Sequence, residues 1–321
     1  MKQLCIILYL WLAASLAQPA SAFEPPAPPE PIANSGSALP VSLPFTRLPG
    51  GQYMVPVYIN DAGPFSFIVD SAASRSAIYG HALGKVTPAP ALNEPQMVHG
   101  IFKSALRPSA DISRLGFAGR VHVNLPVIVL ENTQTSFQNV DGVLGLDVLR
   151  RYALAFDHSS NTISLLQAKP HKLGAYKGWK RIRLSSRLGS KSGHGFYYTT
   201  TEIAGHDVPT LVDTGASYSS ISWNSIKGTS LERYKRKLKI AWKAEGAIGT
   251  FSPRMNVRVY KITIGGQELT DHPFTIANMD NFPITRNGQY KLAIAGIALM
   301  DDRDFVFDFP GKQILIEKPA R

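Results

Sequence analysis

Two segments of the chain place an aspartate in nearly the same setting. Residues 67–74 read Phe-Ile-Val-Asp-Ser-Ala-Ala-Ser, and residues 210–217 read Thr-Leu-Val-Asp-Thr-Gly-Ala-Ser. In each segment a short apolar run ends in an aspartate, Asp70 or Asp213, and small residues follow. Two carboxylates held face to face cannot both ionise easily, so they share one proton and can activate a water molecule. These two aspartates are the candidate catalytic pair.

The match between the two segments continues along the chain and predicts an internal duplication. The first copy continues with Asp-Gly-Val-Leu-Gly-Leu at 141–146 and Phe-Asp at 156–157, and the second with Leu-Ala-Ile-Ala-Gly-Ile at 292–297 and Phe-Asp at 307–308. Gly145 precedes Asp157 by 12 residues, and Gly296 precedes Asp308 by 12. Related halves that meet at a pseudo-twofold axis would bring the two candidate aspartates together. Asp157 and Asp308 begin matching hairpins and are expected to be turn residues.

The elements that position these motifs are mostly short strands. Apolar runs bounded by Gly, Pro, Asn and Asp predict strands at residues 53–59, 65–69, 121–130, 195–203, 208–212, 260–264, 267–269 and 274–278. Helical patterns are sparse and predict helices at 143–152, 230–240 and 297–301. We therefore predict a mainly β chain with an N-terminal lobe at 45–168, an inter-lobe connection at 169–194 and a C-terminal lobe at 195–321.

The first 22 residues have the pattern of a secretory signal peptide. Lys2 supplies the positive start, residues 5–16 are mostly apolar, and Ala-Ser-Ala at 20–22 predicts cleavage after Ala22. An uncleaved N-terminal anchor is the alternative. Cys5 is the only cysteine and lies inside this segment, and a cysteine-free exported chain favours a bacterial periplasm or the medium. The proline-rich residues 23–44 predict an extended linker.

Basic residues are dense at 169–191 and 233–243, in a chain with a formal net charge of +11. These segments can attract an anionic envelope surface, or they can be a solvated connection and a solvated helix face. Aromatic residues do not alternate with the charges, so we predict no nucleic-acid partner. The chain has neither a His-Glu-x-x-His run nor a Gly-x-Ser-x-Gly elbow, and we predict no metal and no cofactor.

Taken together, the motifs resemble those of the pepsin/retropepsin superfamily of aspartic proteases, in a single-chain, two-lobed bacterial form. The resemblance covers most of residues 50–318, and its motifs are the Val-Asp-Thr-Gly-Ala turn at 212–216 and the apolar-apolar-Gly segments at 143–145 and 294–296. It implies two pseudo-symmetric, barrel-like β lobes with a cleft between them. It further implies that each lobe contributes one catalytic aspartate and that an apolar-apolar-Gly strand braces each catalytic turn.

The resemblance also assigns supporting roles around the aspartates. Ser71 and Thr214 would cross-link the two turns through their hydroxyl groups, and Gly215 would offer its N–H to a carboxylate. Ala72 departs from the family, which has Gly at this position. If the backbone torsions suit alanine, the N–H survives and the site works; if they do not, the turn shifts and the pair loses its geometry.

A second departure bears on the pH dependence. Ala73 and Ala216 stand where digestive members of the family carry Ser or Thr, whose hydroxyl would add a hydrogen bond to the carboxylate. Losing a bond to the ionised form raises a carboxyl pKa. An activity optimum at roughly pH 5–6, rather than pH 2–3, is therefore expected.

Two hairpins could cover the cleft and contact substrate. One candidate spans residues 97–105, and the other spans residues 245–251. Their expected substrate-facing residues are His99, Gly100, Ile101, Phe102, Ala247 and Ile248. The alternative for both segments is an ordinary loop.

The predicted function is that of an exported aspartic endopeptidase, which cleaves peptides or proteins in an extended conformation. One alternative is a non-catalytic peptide-binding protein whose first lobe, Asp-Ser-Ala, is degenerate. A weaker alternative is an envelope scaffold that uses the basic surface. Because both aspartates lie in one chain, no dimer is needed to build the site and we expect a monomer.

Overall fold

A computed structural model of the protein describes residues 41–100, 104–132, 139–166, 170–188, 191–192, 195–237, 244–245, 250–251, 255–264, 266–277, 279, 291–300 and 303–318. The predicted signal peptide and most of the predicted linker lie outside these ranges. Over the described residues the chain consists mainly of β-strands with a few short helices, as the sequence predicts. Among the described residues no helix is both long enough and apolar enough to cross a lipid bilayer.

The described residues of the first half form eleven strands and two short α-helices. They are β1 (Val41–Pro44), β2 (Thr46–Arg47), β3 (Tyr53–Ile59), β4 (Ala62–Val69), β5 (Ala77–Tyr79), α1 (Gly80–Leu83), β6 (Leu92–His99), β7 (Ser104–Phe117), β8 (Arg120–Leu130), β9 (Gly142–Leu144), α2 (Leu146–Leu149), β10 (Ala153–Asp157) and β11 (Thr162–Leu166).

The described residues of the second half form thirteen strands, one α-helix and three 3-10 helices. They are the 3-10 helix Pro170–Tyr176, β12 (Lys180–Arg183), β13 (Arg187–Leu188), β14 (Lys191–Ser192), β15 (Tyr198–Ile203), β16 (His206–Val212), β17 (Ser219–Ser222), α3 (Trp223–Ile226), the 3-10 helix Ser230–Lys237, β18 (Ala244–Glu245), β19 (Thr250–Phe251), β20 (Met255–Ile264), β21 (Gln267–Ala277), β22 (Ala293–Ala295), the 3-10 helix Ile297–Met300, β23 (Phe305–Asp308) and β24 (Gln313–Ile316).

The N-terminal lobe is an eight-stranded sheet that curls back on itself. Its strand order is β2-β3-β4-β9-β5-β8-β7-β6, and an additional pairing between β3 and β7 closes the curl. Strand β3 shows why it folds this way: Tyr53, Val55, Val57 and Ile59 alternate inward and are almost fully buried, which is the period-2 pattern of a strand with one face on a core.

The C-terminal lobe is a closed barrel of six strands, in the order β15-β16-β22-β17-β21-β20. Closure leaves no free sheet edge within the barrel. Thr201, Ile203, Val208, Leu211 and Ile221, from three of its strands, are buried.

The two lobes place corresponding strands in the same order and register. In the N-terminal lobe β9 lies between β4 and β5, and its Leu144 pairs in parallel with Val69. In the C-terminal lobe β22 lies between β16 and β17, and its Ala295 pairs in parallel with Val212. Each aspartate of the candidate pair therefore follows a strand that is held by the Gly-motif strand beside it.

A third sheet joins the lobes, with the strand order β1-β11-β10-β23-β24-β12. Its central pair, β10 and β23, is antiparallel and places Ala155 opposite Val306. These two residues lie at matching positions of the two halves, two residues before Asp157 and Asp308. The axis that relates the halves therefore passes through this pair. Beside it the Phe156 and Phe305 rings stack with centroids 4.2 Å apart.

The sheet that joins the lobes also changes two predicted boundaries. Residues 41–44 were predicted as part of the linker, but they form β1 and pair with β11. Residues 180–183 were predicted as connection, but they form β12 and pair with β24. Both strands bury one apolar residue, Leu43 or Ile182. That single residue is too weak a periodic signal to predict a strand among prolines or basic residues.

The helix predicted at residues 143–152 is largely wrong. Val143 and Leu144 belong to strand β9, and the helix is confined to Leu146–Leu149. The run is apolar on all sides because β9 is buried between two neighbouring strands, and a short continuous apolar run cannot be distinguished from a buried helix by periodicity. Short 3-10 helices stand at the other two positions, Ser230–Lys237 and Ile297–Met300.

Candidate active site

Asp70 and Asp213 each stand at the first residue after a buried strand. The backbone N–H of Asp70 donates to the Leu144 carbonyl at 3.0 Å, and that of Asp213 donates to the Ala295 carbonyl at 3.0 Å. The parallel pairing of β4 with β9, and of β16 with β22, thus continues into the turn that carries each aspartate. The position of each carboxylate is set by two strands rather than by a free loop.

Each turn binds one oxygen of its own aspartate with two backbone N–H groups. Asp70 Oδ1 accepts hydrogen bonds from the N–H groups of Ala72 at 2.7 Å and Ala73 at 3.0 Å. Asp213 Oδ1 accepts from Gly215 at 2.9 Å and Ala216 at 3.0 Å. Because backbone N–H groups stabilise a carboxylate, both turns hold their acid in one orientation. The turns use Oδ1 alone, and the second oxygen, Oδ2, does not take part in these bonds.

Four hydrogen bonds cross between the lobes directly below the aspartates. Ser71 Oγ donates to the Val212 carbonyl at 2.8 Å and accepts from the Thr214 N–H at 3.0 Å. Reciprocally, Thr214 Oγ1 donates to the Val69 carbonyl at 2.7 Å and accepts from the Ser71 N–H at 3.0 Å. Both side chains are buried. The two turns are therefore locked to each other and not only to their own lobes.

The side chains of Asp70 and Asp213 lie close enough for each to influence the pKa of the other. Gly215 makes this approach possible, because a Cβ at Gly215 would lie 2.5 Å from Asp70 Cγ and 2.6 Å from Asp70 Oδ2. No atom can stand at that distance without displacing the carboxyl group. Glycine at this position is thus required by close packing against the opposite lobe.

Burial controls the electrostatics of the pair. Desolvation raises the pKa of Asp70, and the N–H groups of Ala72 and Ala73 oppose part of that rise. Desolvation raises the pKa of Asp213 well above its ordinary value, and the negative charge of Asp70 raises it further. Both pKa values are raised, so burial and the repulsion between the two charges favour a state in which the pair keeps one proton.

Ala72 does not disrupt the first turn. Its N–H makes the shortest of the four bonds to a carboxylate, and its backbone does not adopt the positive φ that favours glycine. Of the two outcomes expected for alanine at this position, the backbone corresponds to the one in which the N–H survives.

A pair of serines forms an outer support that the sequence reasoning missed. Ser76 and Ser219 each follow the aspartate of their lobe by six residues, and their hydroxyl groups accept the N–H of Gly145 at 3.0 Å and of Gly296 at 3.2 Å. Aligning the two copies beyond the turn would have revealed this matched spacing. The serines tie each Gly motif back to the strand that follows the aspartate.

The partners of these serines differ between the lobes. Ser76 Oγ donates to Asp147 Oδ1 at 2.7 Å, whereas Ser219 Oγ contacts His272 Nε2 at 3.1 Å. Nothing in the duplicated motifs signals this difference, because Asp147 and His272 occupy unrelated elements of the two lobes.

The first candidate hairpin over the cleft is formed by β6 and β7. His99 pairs with Ser104 at its end, and His99 Nδ1 contacts Ser104 Oγ at 2.8 Å. Val98 and Ala73 pack against the same apolar cluster, so the hairpin and the first aspartate turn border a common core. Gly100 follows β6 directly, while Ile101 and Phe102 lie outside the described residues.

The second candidate hairpin is formed by β18 and β19. Ala244 pairs with Phe251, and Glu245 pairs with Thr250. Ala247 and Ile248, the two residues predicted to face substrate, lie outside the described residues.

Comparisons with known proteins identify related families in both halves. Residues 55–148 match the family model described as aspartyl protease, and residues 199–284 match the family model of the gag-polyprotein aspartyl protease. Among solved structures, the chain is similar to the aspartic proteinase from Irpex lacteus. The TM-score is 0.53 at 14% identity, over 87% of this chain and 97% of that one. A search of curated protein sequences gives no significant match.

The hydrogen bonds between the lobes make a testable contribution to stability. Replacing Thr214 by valine keeps the shape but leaves the buried Ser71 N–H without its acceptor, which costs about 1–3 kcal/mol. Replacing Thr214 by serine keeps the hydroxyl group and should cost clearly less. Chemical denaturation of the two variants measures the difference, and equal stability of the valine and serine variants would contradict the assignment.

Proposed function

The chain belongs to the pepsin/retropepsin superfamily of aspartic proteases, and we propose that it is an exported endopeptidase in which Asp70 and Asp213 activate water. The observation that carries the proposal is the close approach of two carboxyl groups, one from each lobe, where the second aspartate turn leaves no room for a Cβ beside Asp70 and burial raises both pKa values. Such a pair holds one proton between two oxygens, which is the state that can deliver both a base and an acid to one substrate.

In the proposed reaction Asp70 is the charged member of the pair and Asp213 is the protonated member. Charged Asp70 accepts a proton from a water molecule while the oxygen of that water attacks the scissile carbonyl carbon. Neutral Asp213 donates its proton to the carbonyl oxygen. The resulting tetrahedral diol collapses when Asp70 passes its proton to the amide nitrogen, one diol hydroxyl group returns a proton to Asp213, and the C–N bond breaks. Water supplies the hydroxyl group of the new carboxylic acid and the proton of the new amine. No covalent enzyme intermediate forms.

Extended peptides are the proposed substrates. The hairpin of β6 and β7 borders a common core with the first aspartate turn and offers strand backbone beside the site. An extended peptide can pair with such backbone, while pockets for alternate side chains set its preference. His99, Gly100 and the residues beyond them are proposed to contact this substrate, as are Ala247 and Ile248 in the opposite hairpin.

The cellular setting remains part of the proposal. The N-terminal pattern supports export to a bacterial periplasm or to the medium, with cleavage after Ala22. The matched strand registers of the two lobes support an internal duplication, and both aspartates come from one chain, so we propose a monomer. The basic segments would favour an anionic envelope surface.

A non-catalytic peptide-binding protein is the second candidate function, and Ala72 is the observation that motivates it. Against that reading, the Ala72 N–H still binds Asp70 Oδ1 at 2.7 Å. Substitution of the aspartates separates the two functions.

Asp213→Asn should abolish cleavage while peptide binding persists. Asparagine keeps the shape but cannot donate the acidic proton, so kcat/KM on a peptide substrate should fall by about 10²-fold or more. The Asp70→Asn substitution should lower kcat/KM by a similar factor, because it removes the general base. The wild-type protein should also be inhibited by a pepstatin-type compound. Cleavage is measured by chromatography of peptide products.

Asp157→Asn serves as the matched control for these substitutions. Asp157 lies in a hairpin turn, where it accepts bonds from Ser159 and Ser160, and its replacement should leave kcat/KM within about twofold. Unchanged behaviour of Asp213→Asn would favour the peptide-binding protein.

Gly215→Ala and Ala72→Gly should have opposite consequences. The alanine methyl group at 215 would overlap the Asp70 carboxyl group, so kcat should fall by about 10²-fold through lost geometry. The glycine at 72 replaces a residue whose backbone already fits, so kcat should stay within about threefold while stability falls by about 0.5–1 kcal/mol. Steady-state kinetics and thermal unfolding of both variants measure these effects. A large gain of activity in Ala72→Gly would show that alanine impairs the pair.

The pH–rate profile should be displaced to higher pH. Activity requires one proton on the pair, so the acid limb follows protonation of Asp70 and the alkaline limb follows ionisation of Asp213. Because burial raises the pKa of both groups, each limb should lie at higher pH than it would for carboxyls with ordinary pKa values. The optimum is expected at roughly pH 5–6, and a maximum of kcat/KM near pH 2 would contradict it.

A further inference from the structure

Gln52 reaches from the N-terminal lobe to the second aspartate turn. It closes a tight turn before β3, in which its carbonyl accepts the Leu48 N–H at 2.9 Å and Gly51 has a φ of +89°. Its side chain is only 4% exposed. The amide Nε2 donates to the Gly215 carbonyl at 3.3 Å and to Ser217 Oγ at 2.7 Å.

The Gly215 carbonyl belongs to the peptide group that binds the second aspartate. The N–H of that same peptide is the Ala216 N–H, which donates to Asp213 Oδ1 at 3.0 Å. A trans peptide is planar, so a bond that pins its carbonyl also fixes the direction of its N–H. Chains of hydrogen bonds also polarise one another, so donation to the Gly215 carbonyl makes the Ala216 N–H a better donor.

Close packing supports the same contact. Gly50 lies two residues before Gln52, and a Cβ at Gly50 would collide with Ser217 Oγ and would lie 2.5 Å from Gln52 Oε1. The turn of residues 48–52 is thus fitted against residues 215–217 without space for a side chain at Gly50.

The first aspartate turn lacks a matching amide. Met54 pairs with Ile68, and Tyr198 pairs with Leu211, each two residues before the aspartate of its lobe. This register matches Gly51 with Gly195, both of which have positive φ, and it matches Gln52 with Phe196. A phenylalanine side chain has no N–H with which to hold a carbonyl group. Correspondingly, Ser74 in the first turn is exposed, while Ser217 is partly buried.

We infer that Gln52 is a positioning residue for Asp213. It orients the 215–216 peptide so that its N–H stays on Asp213 Oδ1, which leaves Oδ2 free for the proton that the reaction uses. The inference rests on the proposed function, since it assigns Gln52 a role at the same pair of aspartates. The second aspartate thus has a side-chain contact from Gln52 that the first aspartate does not share, although the two turns are nearly identical.

The substitution Gln52→Met tests the inference, because methionine has a similar length but no donor. We expect kcat to fall by about ten- to a hundredfold with KM within about twofold, because the lost contact orients a reacting group and does not touch substrate. The alkaline limb of the pH–rate profile should move to higher pH. A weakened Ala216 N–H bond stabilises ionised Asp213 less, so Asp213 keeps its proton to a higher pH.

Gln313→Met is the matched control. Gln313 Nε2 donates to Asp308 Oδ2 at 2.8 Å in the sheet that joins the lobes, so its loss should lower the unfolding temperature without moving the alkaline limb. An unmoved limb and unchanged kcat in Gln52→Met, or an equal shift in Gln313→Met, would overturn the inference.

A substrate-free measurement separates this inference from the proposed function. The carboxyl carbon of Asp213 can be titrated by NMR in the wild-type protein and in Gln52→Met, and its pKa should be higher in the variant. If the wild type cleaves no peptide but this difference is present, the proposed protease function fails and the role of Gln52 stands. If cleavage depends on Asp213 but the two titrations coincide, the role of Gln52 fails and the protease function stands.

Discussion

The repulsion between two desolvated carboxyl groups is the constraint on which this structure depends. Placing a second negative charge beside the first costs free energy, so Asp70 and Asp213 would move apart if the chain were free to rearrange. The pair is tolerated only as a singly protonated unit, and that unit is what makes it chemically useful. The surrounding elements therefore act to oppose the separation of the two acids.

That opposition is built mostly from the backbone. Strands β9 and β22 fix where the turns begin, two N–H groups in each turn fix one carboxylate oxygen, and Ser71 and Thr214 fix the turns against each other. Backbone groups cannot change rotamer, so an acid held by them loses little orientation as the lobes fluctuate. Side chains enter where the lobes differ, as Gln52, Asp147 and His272 do.

Much of this could be read from the sequence, and the part that could not has a physical reason. The extent of β3 follows from its run of apolar residues, and the resemblance to aspartic proteases implies both the strands that brace the turns and the Ser71–Thr214 contact, although the apolar run at 143–152 predicts a helix by itself. Strands β1 and β12 were missed because each is an edge strand of the sheet that joins the lobes and has little apolar periodicity of its own. Gln52 was missed because its partner is 163 residues away and no repeat of it exists in the second half.

The pairing of Ala155 with Val306 has a consequence for how such a chain can arise. In the pairing of β10 with β23, residues at matching positions of the two halves lie opposite each other. Strand β10 therefore forms backbone hydrogen bonds with the strand that corresponds to it in the other half. A single unduplicated half could therefore associate with an identical copy through this strand and would acquire two equal acids at the seam. If the proposed duplication joined two such copies into one gene, each half would be free to diverge. The different supports of the two acids and the matched pairing of β10 with β23 are both what that history would leave.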